Sequence, residues 1–197
     1  MQIFETNRLE LWALSLSDLV LLRDNIQAFE EQFHCTYNGE KLEGFIWEYL
    51  EEQIRIISEN EASCMYHAFW LLLRKEDRVV VGSIAFKGMP NADGEIEIGY
   101  GLNPFYEHNG YMTEAVAKAC EWGLQQENVK SIIAETDADG YASMRILEKN
   151  GFVRYKFKAE SWWRCTILTK SRKSIFINGD STSKNSFSNI NIEKSGQ

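Results

Sequence analysis

Residues Glu95 to Ala119, EIEIGYGLNPFYEHNGYMTEAVAKA, decide how the rest of the chain is read. Ile96, Ile98 and Tyr100 alternate with Glu95, Glu97 and Gly99, the period of two that a half-buried strand requires. Pro104 ends that ladder. After a short loop, Gly110 opens a run in which Tyr111, Ala115, Ala119 and Trp122 recur at helical spacing, with Thr113 and Glu114 in the first turn. A strand, a turn and a helix start in this order aim unpaired backbone N–H groups outward at the positive end of the helix dipole. That is a seat for a phosphate or pyrophosphate.

Working outward towards the N-terminus, Gly88, Pro90, Asn91, Asp93 and Gly94 form a turn. Phe69 to Leu73 and Val79 to Phe86 read as a hairpin of buried strands joined by the charged turn Arg74 to Arg78. A helix is expected from Lys41 to about Ser58, with Ile46, Leu50, Ile54 and Ile57 on its apolar face. Its additional aromatics, Phe45, Trp47 and Tyr49, fit either a broad face packed on a sheet or the wall of a substrate entrance. Before it, Leu19, Leu22, Ile26, Phe29 and Phe33 give one apolar helix face, started by the capping-box-like Ser15 and Asp18. Glu5 to Leu11 alternates and is expected to be an edge strand, able to pair with a second copy of the chain.

Towards the C-terminus, Ser131 to Thr136 is a strand, so the strand–helix–strand unit implies a parallel pair with a right-handed crossover. Asp137 to Gly140 is a turn offering N-cap donors, Tyr141 to Asn150 a short helix closed by Gly151, and Phe152 to Phe157 with Ser161 to Thr169 a final hairpin. The division expected is one folded domain over 1–170 and a polar, flexible tail over 171–197, with Ser174 to Ile177 as the one short strand it could hold.

Composition bounds the function. The chain has 197 residues, 44% hydrophobic and 13% aromatic, with no apolar run long enough to span a bilayer. Met1 to Asn7 lacks the basic start and apolar core of a secretory signal, so a cytoplasmic location is expected. The net charge of −8 argues against a nucleic-acid groove and for a cationic partner such as an amine or a basic peptide. That acidity lies in the body, because the last 27 residues carry four Lys/Arg against two Asp/Glu. Cys35, Cys64, Cys120 and Cys165 are scattered, and His34, His67 and His108 form no spaced cluster, so no metal site is expected.

Three segments together resemble the GNAT acetyltransferase superfamily, and in detail its RimJ/RimL-type branch. They are TNRLEL from Thr6 with Leu14 and Asp18, EIGYGLNP followed by GYMTEA, and SMRILEKNGF at Ser143 to Phe152. The resemblance spans about Glu5 to Thr169 and implies an α/β (α+β) fold. Its sheet would be mixed, mostly antiparallel and twisted, with about seven strands, a splayed central parallel pair and about four flanking helices. It further implies direct transfer of an acetyl group from acetyl-CoA, the co-substrate, to a primary amine on a small molecule or a protein N-terminus. The pantetheine arm would lie in the splay and the pyrophosphate on the turn before Gly110. Leu102, His108, Asn109, Gly110, Tyr111, Met112, Thr113 and Ser143 are then the cofactor-binding candidates.

The loop departs from the family pattern at two positions. Glu107 stands where Gln or Arg is usual, and Met112 where a small residue is usual. Gly140 likewise replaces a common Asn, and Leu147 occupies the place of a Tyr used by some relatives to protonate the thiolate. Acetyl transfer needs a proton acceptor for the amine, a donor to the thioester carbonyl and a group serving the thiolate. The resemblance suggests Glu97 for the first, with Glu95 as its same-face alternative, and Ser143 for the last. A backbone N–H near Tyr100 to Leu102 would serve the carbonyl, where Gly99 and Gly101 permit a bulge. The alternative is a catalytically degenerate acyl-CoA-binding or interaction module, a reading prompted by Glu107 and Met112.

Overall fold

The structure, a computed structural model, describes residues 1–137, 139–157 and 160–166. The proposed division at residue 170, the tail beyond it and the end of the last strand at Thr169 lie outside the described residues.

The N-terminal alternation does not run straight. Strand β1 (Gln2–Glu5) turns at Thr6, whose N–H donates to the Leu9 carbonyl and whose hydroxyl oxygen accepts from the Leu9 N–H, and returns antiparallel as β2 (Leu9–Ala13). The edge is therefore β1, while β2 is interior with Leu9 and Leu11 fully buried. Alternation alone cannot see a turn made by one threonine side chain.

The expected first helix is likewise two. Helix α1 (Leu16–Asp24) starts at a capping box formed by Ser15 and Asp18. It stops at Asn25, whose Oδ1 accepts from the Ala28 N–H and starts α2 (Ile26–Phe33). Ile26 consequently faces solvent rather than the core. A two-residue strand β3 (Thr36–Tyr37) follows, then α3 (Gly44–Glu59) and the single-turn α4 (Cys64–His67).

The hairpin is β4 (Phe69–Arg74) and β5 (Val79–Phe86), and the central strand is β6 (Glu95–Leu102). Helix α5 (Tyr111–Gly123) crosses back to β7 (Ser131–Asp137). Helix α6 (Tyr141–Lys149) leads into the closing hairpin β8 (Val153–Phe157) and β9 (Glu160–Thr166). The sheet has nine strands rather than about seven, in the order β1-β2-β4-β5-β6-β7-β9-β8 with β3 on β5, and six α-helices rather than about four are present among the described residues. The added elements are the divided N-terminal strand and helix and the short β3 and α4.

Pairing is antiparallel except for β3–β5 and β6–β7. Helix α5 sits tightly on the β6–β7 pair because Gly123 has no side chain. A Cβ there would lie 2.9 Å from Ile132 Cδ1 and 3.1 Å from Ile96 Cδ1. Under the other half of the sheet, Trp70 is the hub of an aromatic core made with Phe4, Phe86 and Trp122.

Candidate active site

The parallel β6–β7 ladder holds for three registered pairs, Glu95 with Ser131 to Glu97 with Ile133. Beyond them β6 stays on β5, from Ile98 opposite Phe86 to Leu102 opposite Gly82, while β7 stays on β9 out to Asp137. The strands splay. The backbone of Ile98–Leu102 on the β7 side is thereby left without a sheet partner, available to an extended ligand.

A cavity of about 720 Å3 opens at this splay. It is lined by Leu102, His108, Gly110, Tyr111, Met112, Thr113 and Ser143, together with Tyr100, Glu107 and Arg145 among others. Gly110 is the N-cap of α5 with φ +78°, a left-handed conformation natural to glycine, and no side chain caps the helix. The first N–H groups of α5 thus face the cavity with the dipole behind them. The Met112 side chain is 4% exposed and joins the core, so its bulk does not obstruct that face.

Asn109 is placed differently from the other loop candidates and does not line the cavity. Its Nδ2 donates to the Tyr106 and Glu107 carbonyls at 3.2 and 2.9 Å, shaping the loop from within. Arg8 pins the same loop from outside, donating from Nη1 to the Asn109 carbonyl at 2.9 Å and lying over the Tyr111 ring. Its Nε and backbone N–H both reach the Glu114 carboxylate at 2.8 Å, where Thr6 also donates. Thus Thr6 and Arg8 meet Glu114, 108 and 106 residues further along the chain, behind the loop that leads into α5.

Burial pushes the Glu114 carboxyl up, but the hydrogen bonds from Thr6 and Arg8 outweigh it and leave it below the usual range. A depressed carboxylate stabilises the fold above its unfolded pKa, about 4.3, and that contribution is lost as pH falls through the lower folded value. Glu114→Gln is therefore expected to melt roughly 2–4 °C below the parent at pH 7, from loss of about 1 kcal/mol of charge-assisted bonding. Melting curves from pH 7 to 3 should show the difference steady down to about pH 5 and closing below about pH 4.

A second cavity, about 370 Å3, lies at the other end of the splay and shares Tyr100, Gly101 and Ser143 with the first. Phe45, Tyr49, Phe69, Ser83, Lys87, Glu40 and Glu135 contribute to its lining. Two of the three surplus aromatics of α3, Phe45 and Tyr49, are on this wall, whereas Trp47 is not. Burial, with the Glu97 charge nearby, pushes the Tyr49 phenol up to about 12. Burial likewise raises Tyr100 to about 12, so it stays a donor at neutral pH, and its hydroxyl donates to the Ser143 carbonyl at 3.3 Å.

Glu97 lines neither cavity and is ion-paired to Lys87, which does line the second. Glu95 is held by Arg164 at 2.5 Å. The β5–β6 register runs without a shift, so no bulge arises at Gly99 and Gly101. Instead these glycines make room: a Cβ on Gly99 would stand 3.3 Å from the Lys87 stem, and one on Gly101 would collide with the Glu40 carboxylate. At Gly140 α6 starts without a side-chain cap, contrary to the expectation from the Asp137–Gly140 turn. Leu147 is fully buried.

The site thus combines a splayed parallel pair, an uncapped helix N-terminus at its mouth and a second cavity meeting the first. Residues 8–153 match the protein-family model described as an acetyltransferase (GNAT) domain, and the chain belongs to that family. It is an N-acetyltransferase. The chain is 33% identical over 162 residues to the uncharacterized N-acetyltransferase YjdG of Bacillus subtilis (strain 168), covering 81% of this chain and 95% of that protein. It is 31% identical over 101 residues to YnaD of the same organism, covering 48% of this chain and 58% of that one.

Among solved structures, the ribosomal-protein-S5-alanine acetyltransferase of Vibrio fischeri superposes with a TM-score of 0.59 at 15% identity, covering 84% and 97% of the two chains. RimL, a ribosomal L7/L12 α-N-protein acetyltransferase in complex with coenzyme A, does so with 0.59 at 14% identity over 84% and 98%. These likenesses bear on the fold. GNAT acetyltransferases use acetyl-CoA and acetylate amines. Among the described residues no helix is long and apolar enough to cross a membrane.

Proposed function

We propose that this chain moves an acetyl group directly from acetyl-CoA to a primary amine, on a small molecule or a protein N-terminus, in a ternary complex on a RimJ/RimL-type scaffold. The observation that carries this reading is the loss of the β6–β7 ladder after Glu97, which opens a cavity directly onto the uncapped start of α5. The residues present fit the group. Gly110 and the N–H groups of Tyr111, Met112 and Thr113 would hold the pyrophosphate, with His108 beside them and Asn109 keeping the loop in shape. The free edge of β6 up to Leu102 would bind the pantetheine amides.

When bound, acetyl-CoA supplies the thioester acetyl group. The chain's own part is to orient it and to handle a proton on either side. The backbone N–H groups near Gly101 polarise the carbonyl. Ser143, at the junction of the two cavities, serves the thiol end, and Tyr100 holds the α6 start in place through its bond to the Ser143 carbonyl. Glu97 receives the proton of the amine through water, with Lys87 between it and the acceptor cavity.

Calorimetry with acetyl-CoA is expected to give micromolar binding, and absence of binding at millimolar concentration removes the proposal. In the same series, Glu97→Gln should lower kcat about 10²-fold with acetyl-CoA affinity preserved, the size of a general-base contribution. An unchanged kcat would leave Glu97 as the partner of Lys87 and nothing more.

A further inference from the structure

We propose that Glu40 seats the ammonium of the acceptor, and that the acceptor carries its amine next to an apolar or aromatic group. This rests on the acetyltransferase reading and adds to it a residue and an acceptor class. Glu40 lies in the loop between β3 and α3. Tyr37 donates its hydroxyl to the Glu40 carbonyl at 2.8 Å, and Ser83 donates to Glu40 Oε2 at 2.9 Å, so both ends of the residue are fixed. The carboxylate is pressed onto β6: a Cβ at Gly101 would stand within van der Waals overlap of both its oxygens. Only glycine at 101 admits it there.

Gly101 is one of the three residues common to both cavities, so Glu40 is held where donor and acceptor sides meet. An ionised carboxylate offers about four acceptor sites, and one hydroxyl donor does not satisfy them. Among the described residues, no Lys, Arg or His forms an ion pair with Glu40. The contrast with Glu97, which is paired to Lys87, is direct. A primary ammonium, with three donors on a compact charge, supplies what is lacking. Beside it, Phe45, Tyr49 and Phe69 form the apolar wall of a cavity of about 370 Å3, a size suited to a small molecule or to one terminal residue of a peptide.

A purely structural carboxylate bridging Ser83 would be replaced well by glutamine, which keeps an acceptor oxygen and the shape. That difference sets the test, with 2-phenylethylamine as probe and thiol release as readout. Glu40→Gln should raise KM for the probe at least tenfold, with the acetyl-CoA dissociation constant within twofold of the parent and the melting temperature unchanged. Gly101→Ala, which displaces the carboxylate by a different route, should reproduce the KM defect.

Equal KM values for parent and Glu40→Gln overturn the role of Glu40. A parent that acetylates the aliphatic diamine cadaverine but not 2-phenylethylamine overturns the acceptor class. A parent that fails to bind acetyl-CoA places the failure in the acetyltransferase reading itself, before Glu40 is reached.

Discussion

Thr113→Glu is expected to cost about 100-fold in acetyl-CoA affinity while leaving the protein as stable as before or slightly more so. Thr113 is the third residue of α5, lines the larger cavity and follows a cap that offers no side chain. A carboxylate at that position is what an isolated helix prefers, because it faces unpaired N–H groups and the positive dipole end, worth roughly 0.3–1 kcal/mol. Those are the groups a pyrophosphate needs.

The introduced charge occupies them and repels the incoming anion. Like charges about 5 Å apart at an effective dielectric near 20 cost roughly 3 kcal/mol per pair, and solvent at an open mouth cuts that about twofold. Two phosphates against one carboxylate leave about 3 kcal/mol, hence the factor of 100. Thr113→Gln has the same length without the charge and should bind within a few-fold of the parent. Calorimetry in low and high salt checks both. A parent-like affinity for Thr113→Glu would move the anion seat away from α5.

The same stretch shows what local sequence can carry. The alternation of Ile96, Ile98 and Tyr100, the helical spacing after Gly110 and the strand from Ser131 are each set by neighbours one to four residues apart, and the structure keeps all three elements. So is the position of Gly110, where a left-handed cap is a local requirement. The division of the N-terminal region was not legible for the opposite reason. Leu19, Leu22, Ile26, Phe29 and Phe33 fit one continuous helical stripe, and only the Asn25 side chain, capping one helix as another ends, breaks it. An asparagine is compatible with both readings until the packing is known.

Contacts beyond the reach of local periodicity account for what was missed at the site. Glu40 meets Ser83 and Gly101, 43 and 61 residues further on, and Glu97 meets Lys87 across the β5–β6 connection. The trace Glu40 leaves in the sequence is indirect: two glycines, Gly99 and Gly101, on one face of a central strand. Their alternation with bulky residues signals something packed close against that face, not a bulge. Arg8 and Glu114 are legible only as parts of two motifs, and their joint meaning, a clamp behind the loop that precedes α5, needs the fold.

Trp70→Ala is expected to be the most damaging single substitution for stability and to leave the chemistry of the folded molecules intact. Trp70 is fully buried on β4, stacked on Phe4 with ring centroids 4.7 Å apart and edge-on to Phe86 and Trp122 at 5.6 and 5.1 Å. Three neighbours from β1, β5 and α5 lose their common partner at once, and none is free to fill the hole, because Phe86 and the α5 helix are fixed by the β6–β7 pair. Truncations of this kind cost about 3–5 kcal/mol against a total of about 5–15 for a domain, so a fall in melting temperature of roughly 10 °C is expected. Trp70 lines neither cavity. Assayed at 10 °C, well below that transition, Trp70→Ala should therefore keep its acetyl-CoA affinity within about threefold of the parent, the reverse of the Thr113→Glu pattern. A joint loss of stability and binding at that temperature would instead make the aromatic core part of what holds the splay open.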